Sequence, residues 1–301
     1  MRVAIVGPTA SGKSAVALEV ARRLPGVELV SVDSMQVYRG MDIGTAKATA
    51  AERAEIPHHL LDLVDASDEF TVRDFQDAHA RAVDEIGARG GAALLVGGTG
   101  LYHRAVIDDL DLPGEFPTVR AELDADPDTR ALHDRLRTLD PLAASRMEPD
   151  NRRRVVRALE VCLGSGRPFS SHGPGLDAYP PSAVAQIGIR RPRPVVAESV
   201  ERRVRRMLET GLVDEVRTLA EAGLSRSASQ ALGYKEVVDH LEGRASLDES
   251  VHTIIARTRR FAVRQERWFR RDPRVRWIDV ESDPVSEVVP SVIQAFDRTT
   301  T

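Results

Sequence analysis

The chain has 301 residues, 42% hydrophobic and 29% charged, with a formal net charge of −4, a composition ordinary for one large domain or a domain carrying an inserted one. No run approaches the roughly 18 apolar residues of a membrane span, and Val3 to Val6, followed at once by Gly-Pro, is too short for a secretory signal core. A single cysteine, Cys162, excludes an internal disulfide and all-cysteine metal sites and reads as a small buried side chain in an apolar helical stretch, so a cytoplasmic protein is expected.

In chain order, residues 2–7 are a short apolar run, as expected of a buried parallel strand. Val16, Ala17, Val20, Ala21 and Leu24 then recur at helical spacing, and Pro25-Gly26 closes that helix. A second strand, 27–32, ends at Asp33. A helix is predicted over 72–89, stopped by Gly90-Gly91, and a third strand over 92–96 runs into Gly97-Gly98-Thr99-Gly100. Strands alternating with helices predict a doubly wound parallel sheet. From Pro113 the texture changes to short helical segments broken by Pro-Asp and Asp-Pro, followed by a proline- and glycine-rich connector up to Pro181. A strand at 183–189 returns to the sheet, two long helices are predicted over 196–222 and 247–271, and a strand at 275–280 closes the core. Ser246 and Glu249 form a capping-box pattern before the second long helix. The expected division is a core of 1–112 and 183–301 with a helical insertion at 113–182.

Gly7-Pro8-Thr9-Ala10-Ser11-Gly12-Lys13-Ser14 fits the phosphate-loop pattern G-x-x-x-x-G-K-[ST] without a gap, between a strand and a helix. Glycines let backbone N–H groups turn toward phosphate oxygens, the helix N-terminus adds positive potential, Lys13 adds a point charge, and the Ser14 hydroxyl suits Mg²⁺. An ATPase or GTPase of this architecture usually has a strand ending in a metal-holding aspartate; the strand at 92–96 ends in glycines instead. The acid lies at Asp33, where it can take a proton from a nucleophile, help hold metal, or serve only as a turn residue feeding Ser34.

The phosphate loop, followed by Ser31-Val32-Asp33-Ser34-Met35-Gln36-Val37-Tyr38-Arg39-Gly40-Met41-Asp42-Ile43-Gly44-Thr45-Ala46-Lys47, strongly resembles bacterial tRNA dimethylallyltransferases. Pro57-His58-His59-Leu60-Leu61-Asp62, Val96 to Tyr102, Arg154-x-x-Arg157-Ala158-Leu159-Glu160-Val161 and Gly233-Tyr234-Lys235-Glu236 continue the resemblance in the same order, up to about residue 270. It implies a P-loop, nucleotide-kinase-like core with a helical insertion that grips the anticodon stem-loop. It also implies transfer of a dimethylallyl group from its diphosphate to the amino group of a flipped adenosine beside the anticodon, since a stacked amine cannot reach a buried electrophile. Asp33 would then be the base, with Thr9 and Arg203 as catalytic partners, and the loop from Gly7 to Ser14 would hold the diphosphate. The resemblance implies tRNA contacts at Asp33, Ser34, Met35, Gln36 and Thr99, and at Arg120, Arg153, Arg154 and Arg157. Mg²⁺, held by Ser14, is the expected cofactor, and a monomer without membrane contact is expected. Arg203 also draws attention by position: it shares a helical stripe with Val196, Val200 and Met207, and a cation on an apolar face needs an anion, an internal acid or an exit to water. Two departures touch presumed RNA contacts: Asp150-Asn151 with Arg153 stands where the family commonly has Asn-Asp followed by glutamine, and Arg264-Gln265-Glu266-Arg267-Trp268 stands where it has Arg-Gln-x-Thr-Trp.

The charge is uneven: residues 1–151 carry 16 Lys and Arg against 26 Asp and Glu, and residues 152–301 carry 26 against 20. Arg257, Arg260, Arg264, Arg267 and Arg271 form one helical stripe, with Ile254, Phe261 and Trp268 on another, so the helix can pack on one side and offer arginine to phosphates on the other. Two rival readings use the same loop: a small-molecule or nucleotide kinase, and a noncatalytic RNA-binding switch that senses nucleotide.

Overall fold

The computed structural model describes residues 2–298. The chain opens with β1 (Arg2–Val6), α1 (Lys13–Arg23), β2 (Val27–Val32), α2 (Ala50–Glu55), β3 (His58–His59), α3 (Val72–Ala88), β4 (Ala92–Gly97) and α4 (Gly100–Ile107). It continues through α5 (Pro117–Ala125), α6 (Thr129–Leu139), α7 (Pro141–Ser145) and α8 (Arg152–Ser165). It then returns with β5 (Ala185–Arg190), α9 (Arg193–Glu209), α10 (Leu212–Ala222), α11 (Tyr234–Leu241), α12 (Leu247–Phe269), β6 (Val275–Asp279) and α13 (Pro284–Arg298).

The strands pair in parallel in the order β3-β2-β4-β1-β5-β6. Successive side chains alternate between the two faces of a strand, and both faces here are apolar. Val3, Ile5, Leu29, Leu94 and Ile187 bury one face against α1 and α13, through Val16, Val20, Val288 and Val292. Ala4, Val30 and Leu95 bury the other against α3, α9 and α12, through Phe75, Ile86, Val200, Val204 and Ile254. This is the doubly wound α/β sheet that the alternation of strands and helices predicts. Because β4 lies between β1 and β2, the phosphate loop after β1 and Asp33 after β2 leave the sheet on the same edge, two strand spacings or roughly 10 Å apart.

The helix expected to run unbroken over 196–222 is two helices. Gly211 sits at φ 103, a left-handed conformation that ends α9 and caps α10. The capping box of α12 forms as read: the Ser246 amide donates to Glu249 Oε2 at 2.8 Å and the Glu249 amide to Ser246 Oγ at 3.2 Å.

The chain divides into two compact units, one of the residues up to Asp108 with those from Pro181 onward, the other Asp109–Pro180. Composition put the turning points at 113 and 182; the chain leaves the larger unit earlier, just after α4. Within the smaller unit, Leu123, Leu132, Leu136, Val155, Val156, Leu159 and Cys162 form a separate core. Asp128 caps α6 and Asp140 caps α7, which is why the Pro-Asp and Asp-Pro breaks fall where they do.

Candidate active site

The phosphate loop is held from beneath by glycines with no space for a side chain. A Cβ on Gly7 would lie 2.8 Å from Ile189 O, and one on Gly12, at φ 97, would lie 2.5 Å from the Pro284 ring. Gly12 is the N-cap of α1, so the helix begins at Lys13 with its free N–H groups directed at the loop. Ser14 is exposed, Thr9 is half-buried, and the Ser11 hydroxyl is buried with no hydrogen-bond partner among the described residues. The Thr9 amide donates to Gln265 Oε1 at 2.8 Å, and Gln265 Nε2 donates to Gly98 O at 2.9 Å. One buried side chain of α12 thereby ties the phosphate loop to the loop after β4.

That second loop forms the floor between the phosphate loop and Asp33. A Cβ on Gly97 would fall 2.1 Å from Val32 O, on Gly98 2.3 Å from Gln265 Nε2, and on Gly100 2.2 Å from the Trp268 ring. At Gly97 the Val32 backbone leaves no space for a side chain, so an acid in the position where an ATPase carries its metal-holding aspartate is closed off there by packing. At Gly98 a side chain would displace the Gln265 amide that joins the two loops.

Asp33 is half-buried, and its Oδ1 accepts from the Met35 amide at 2.9 Å, which fixes the turn. The Ser34 amide donates to Thr99 Oγ1 at 3.3 Å. Gln36 accepts from the Ser31 hydroxyl at 2.7 Å and donates to Thr45 O at 3.1 Å. The far end of this segment is pinned by Lys47, a buried cation that donates to Tyr38 O at 2.7 Å and meets Asp42 and Asp62 at 2.6 Å each.

Two cations crowd the phosphate loop. Arg203 Nη1 donates to Thr9 Oγ1 at 3.0 Å and Nη2 to Thr45 O at 3.4 Å, and no carboxylate of the described residues lies within ion-pair distance of it. The one acid that acts on Arg203 is Asp33, from beyond ion-pair distance. Burial depresses the arginine's pKa, with Asp33 acting against that, yet a guanidinium keeps its charge. Lys13 donates to Pro8 O at 2.7 Å. Burial, together with the like charge of Arg203, lowers its pKa to about 7 against the opposing pull of Asp33. Lys13 and Arg203 thus lie close enough to repel, with Asp33 the acid that offsets them. A multiply charged anion in the loop would relieve both.

The remaining arginines divide into two groups. Arg260, Arg264 and Arg267 are exposed on α12 without an ion-pair partner among the described residues, Arg264 lying 5.6 Å from the Phe261 ring centre. Arg153 and Arg154, at the start of α8, are likewise exposed and unpaired. Arg257 instead meets Glu236 at 2.5 Å. Arg157 meets the buried Glu160 at 2.8 Å and donates to Pro113 O at 2.8 Å, and Arg120 approaches the same carboxylate at 3.7 Å. Asp150-Asn151, the departure in the family pattern, serves the α8 N-terminus: Asn151 accepts from the Arg154 amide at 3.4 Å and Asp150 pairs with Arg130. Among the described residues, no group of three or more His, Cys, Asp or Glu is arranged to hold a metal ion, and no helix is long and apolar enough to cross a membrane.

Sequence reasoning did not assign Gln265, Thr45 or Glu215 a part in the site. Gln265 lies in Arg264-Gln265-Glu266-Arg267-Trp268, and its signal is that of a polar residue on the buried face of α12. Glu215 had no local signal, because the three backbone amides it accepts from lie more than 170 residues away.

Residues 36–272 match the family described as IPP transferase. A relative from Streptomyces coelicolor named tRNA dimethylallyltransferase is 48% identical over 281 residues, covering 92% of this chain and 89% of its own. The crystal structure of the full-length tRNA isopentenylpyrophosphate transferase of Bacillus halodurans is similar at a TM-score of 0.72 and 41% identity, covering 99% of this chain and 97% of that one. A eukaryotic dimethylallyltransferase described as acting on tRNA has a TM-score of 0.82 at 24% identity, covering 99% of this chain and 79% of its own, a likeness of fold alone.

Proposed function

This chain belongs to the IPP transferase family, and we propose that it transfers a dimethylallyl group from dimethylallyl diphosphate to the N6 amino group of the adenosine 3′-adjacent to the tRNA anticodon. The observation that carries this reading is the pair of cations at the phosphate loop, Arg203 on the Thr9 hydroxyl and Lys13 on Pro8 O, which repel each other with the single carboxylate of Asp33 to offset both. A diphosphate supplies the missing charge, and a nucleophile beside Asp33 stands across the glycine floor from it.

In the proposed reaction the adenine N6 attacks C1 of the donor. The C1–oxygen bond breaks, its electron pair leaves with the diphosphate, and the N6 proton passes to the Asp33 carboxylate as the carbon–nitrogen bond develops. Lys13, Arg203, the Thr9 hydroxyl and the α1 N-terminus stabilise the departing charge more than the bound ester, the condition for catalysis by electrostatics. The orphaned Ser11 hydroxyl fits a phosphate oxygen. Mg²⁺ usually binds through few protein oxygens together with substrate phosphates, and the exposed Ser14 hydroxyl suits an ion carried in with the diphosphate, where it would neutralise leaving-group charge. Asp33, Ser34, Met35, Gln36 and Thr99 would face the flipped base and its neighbours, and the exposed arginines of α12 and α8 would track tRNA phosphates. A monomeric, cytoplasmic enzyme is in keeping with this role.

The kinase alternative requires ATP in the loop and a metal-holding acid after β4, where the chain has Gly97-Gly98-Thr99-Gly100 and the Val32 backbone closes Gly97 to any side chain. Incubation with radiolabelled dimethylallyl diphosphate and unmodified tRNA, with labelled ATP as a parallel donor, separates the readings. Label carried from the prenyl donor into tRNA is expected; transfer from ATP alone would overturn the proposal.

A further inference from the structure

Behind the Asp42–Thr45 loop lies a set of contacts that the reaction above does not use. The Glu215 carboxylate, on α10, accepts three consecutive backbone N–H groups, from Asp42 at 3.0 Å, Ile43 at 2.7 Å and Gly44 at 3.1 Å. It also accepts the Tyr234 hydroxyl at 2.6 Å, so four donors fill its acceptor sites. Tyr234 is buried, and its ring lies so close to Gly44 that a Cβ there would sit 2.4 Å from a ring carbon. The next residue in this clamped loop is Thr45, whose carbonyl accepts from both Arg203 Nη2 and Gln36 Nε2. The break at Gly211 is what lets Arg203 on α9 and Glu215 on α10 approach the same loop from different helices.

We propose that Glu215 and Tyr234 are positioning residues for prenyl transfer: by clamping the Asp42–Thr45 loop they hold the Thr45 carbonyl where it aims the Arg203 guanidinium at the leaving diphosphate. The inference rests on the reading of Arg203 as the partner of that diphosphate. A carboxylate bonded to three N–H groups in a row fixes the loop in register and orientation, whereas a hydrophobic contact would fix only its distance. Small losses of alignment at a reacting centre can cost about 10²-fold in rate.

The test is a double-mutant cycle read as single-turnover rate at saturating donor and tRNA. Tyr234→Phe removes one hydroxyl, and Glu215→Gln exchanges one acceptor for a donor beside the loop amides; both keep side-chain volume. Each is expected to slow prenyl transfer about 10-fold to 10²-fold with tRNA affinity close to wild type. Tm stays near wild type for Tyr234→Phe and falls for Glu215→Gln, which sets a donor against the loop amides. In an Arg203→Ala background the same substitutions are expected to cost almost nothing further, because the group they aim is gone. An equal fold-loss in both backgrounds would overturn the proposal and assign the pair to general support of the fold, as would a fall in Tm with no change in rate. Wild-type turnover in Arg203→Ala alone would instead strike at the reading of Arg203, and with it the route by which Glu215 acts.

Discussion

Arg203 Nη1 donates to the Thr9 hydroxyl at 3.0 Å, while the other arm of the same guanidinium reaches Thr45 O at 3.4 Å. One side chain therefore links the phosphate loop to the segment that carries Asp33 and Gln36, so donor and acceptor chemistry share a fixed point. This linkage has different consequences for catalysis and for RNA affinity.

The first prediction separates the two kinds of arginine. Arg203→Ala is expected to spare tRNA affinity and cut turnover. Arg264→Ala, an exposed and unpaired position, should weaken all tRNAs about equally, flatten the dependence of log affinity on log salt by about one ion's worth, and leave turnover at saturating tRNA nearly unchanged. Binding across a salt series checks both. A wild-type slope for Arg264→Ala would place the RNA surface elsewhere.

Arg157 is expected to behave otherwise than its exposed neighbours Arg153 and Arg154. Its guanidinium is committed to the buried Glu160 and to Pro113 O. Arg157→Ala leaves that carboxylate with Arg120, at 3.7 Å, and the Phe116 amide as partners. A loss of about 1–3 kcal/mol in the stability of the helical unit is expected, read as an earlier urea midpoint. An unchanged midpoint with a flattened salt slope would make Arg157 a phosphate contact after all.

The phosphate loop, Asp33 and the sheet were legible because each is encoded within a few residues: a strand, a glycine turn with Gly-Lys-Ser, an acid at a strand end. Gly211 was harder to read as a break, since apolar residues continue at helical spacing on both sides of it. α13 escaped notice because Pro290 lies inside it, although Val288, Val289, Val292 and Phe296 mark its buried face. The pairing of Arg157 with Glu160 has a local signal, an i,i+3 spacing, but an arginine at that spacing can equally turn to solvent and a phosphate. Glu215 could not be read at all, because only the fold brings it to the Asp42–Gly44 amides.

Lys13 supplies a prediction in pH. In the bare site its pKa is lowered to about 7, chiefly by burial and by Arg203. Above that pH the amine is mostly neutral, and a bound diphosphate favours its charged form, raising the pKa. Binding inorganic diphosphate near pH 8.5 should therefore take up a proton; well below pH 7 that uptake disappears, since Lys13 is already charged. Calorimetry in buffers of different ionisation enthalpy measures it. Lys13→Arg, charged throughout, should take up about one proton fewer than wild type. Equal uptake in the two proteins would mean that Lys13 is charged before the anion arrives.

The most direct measurement concerns Asp33. Asp33→Asn keeps the shape of the side chain and its acceptor oxygen for the Met35 amide, but it cannot take a proton as a carboxylate does. Single-turnover prenyl transfer at saturating donor and tRNA, measured beside the equilibrium affinity for tRNA, is predicted to fall by about 10²–10⁴ in rate with affinity retained. A variant that loses tRNA affinity while keeping the wild-type rate would contradict the account and leave Asp33 a binding residue only.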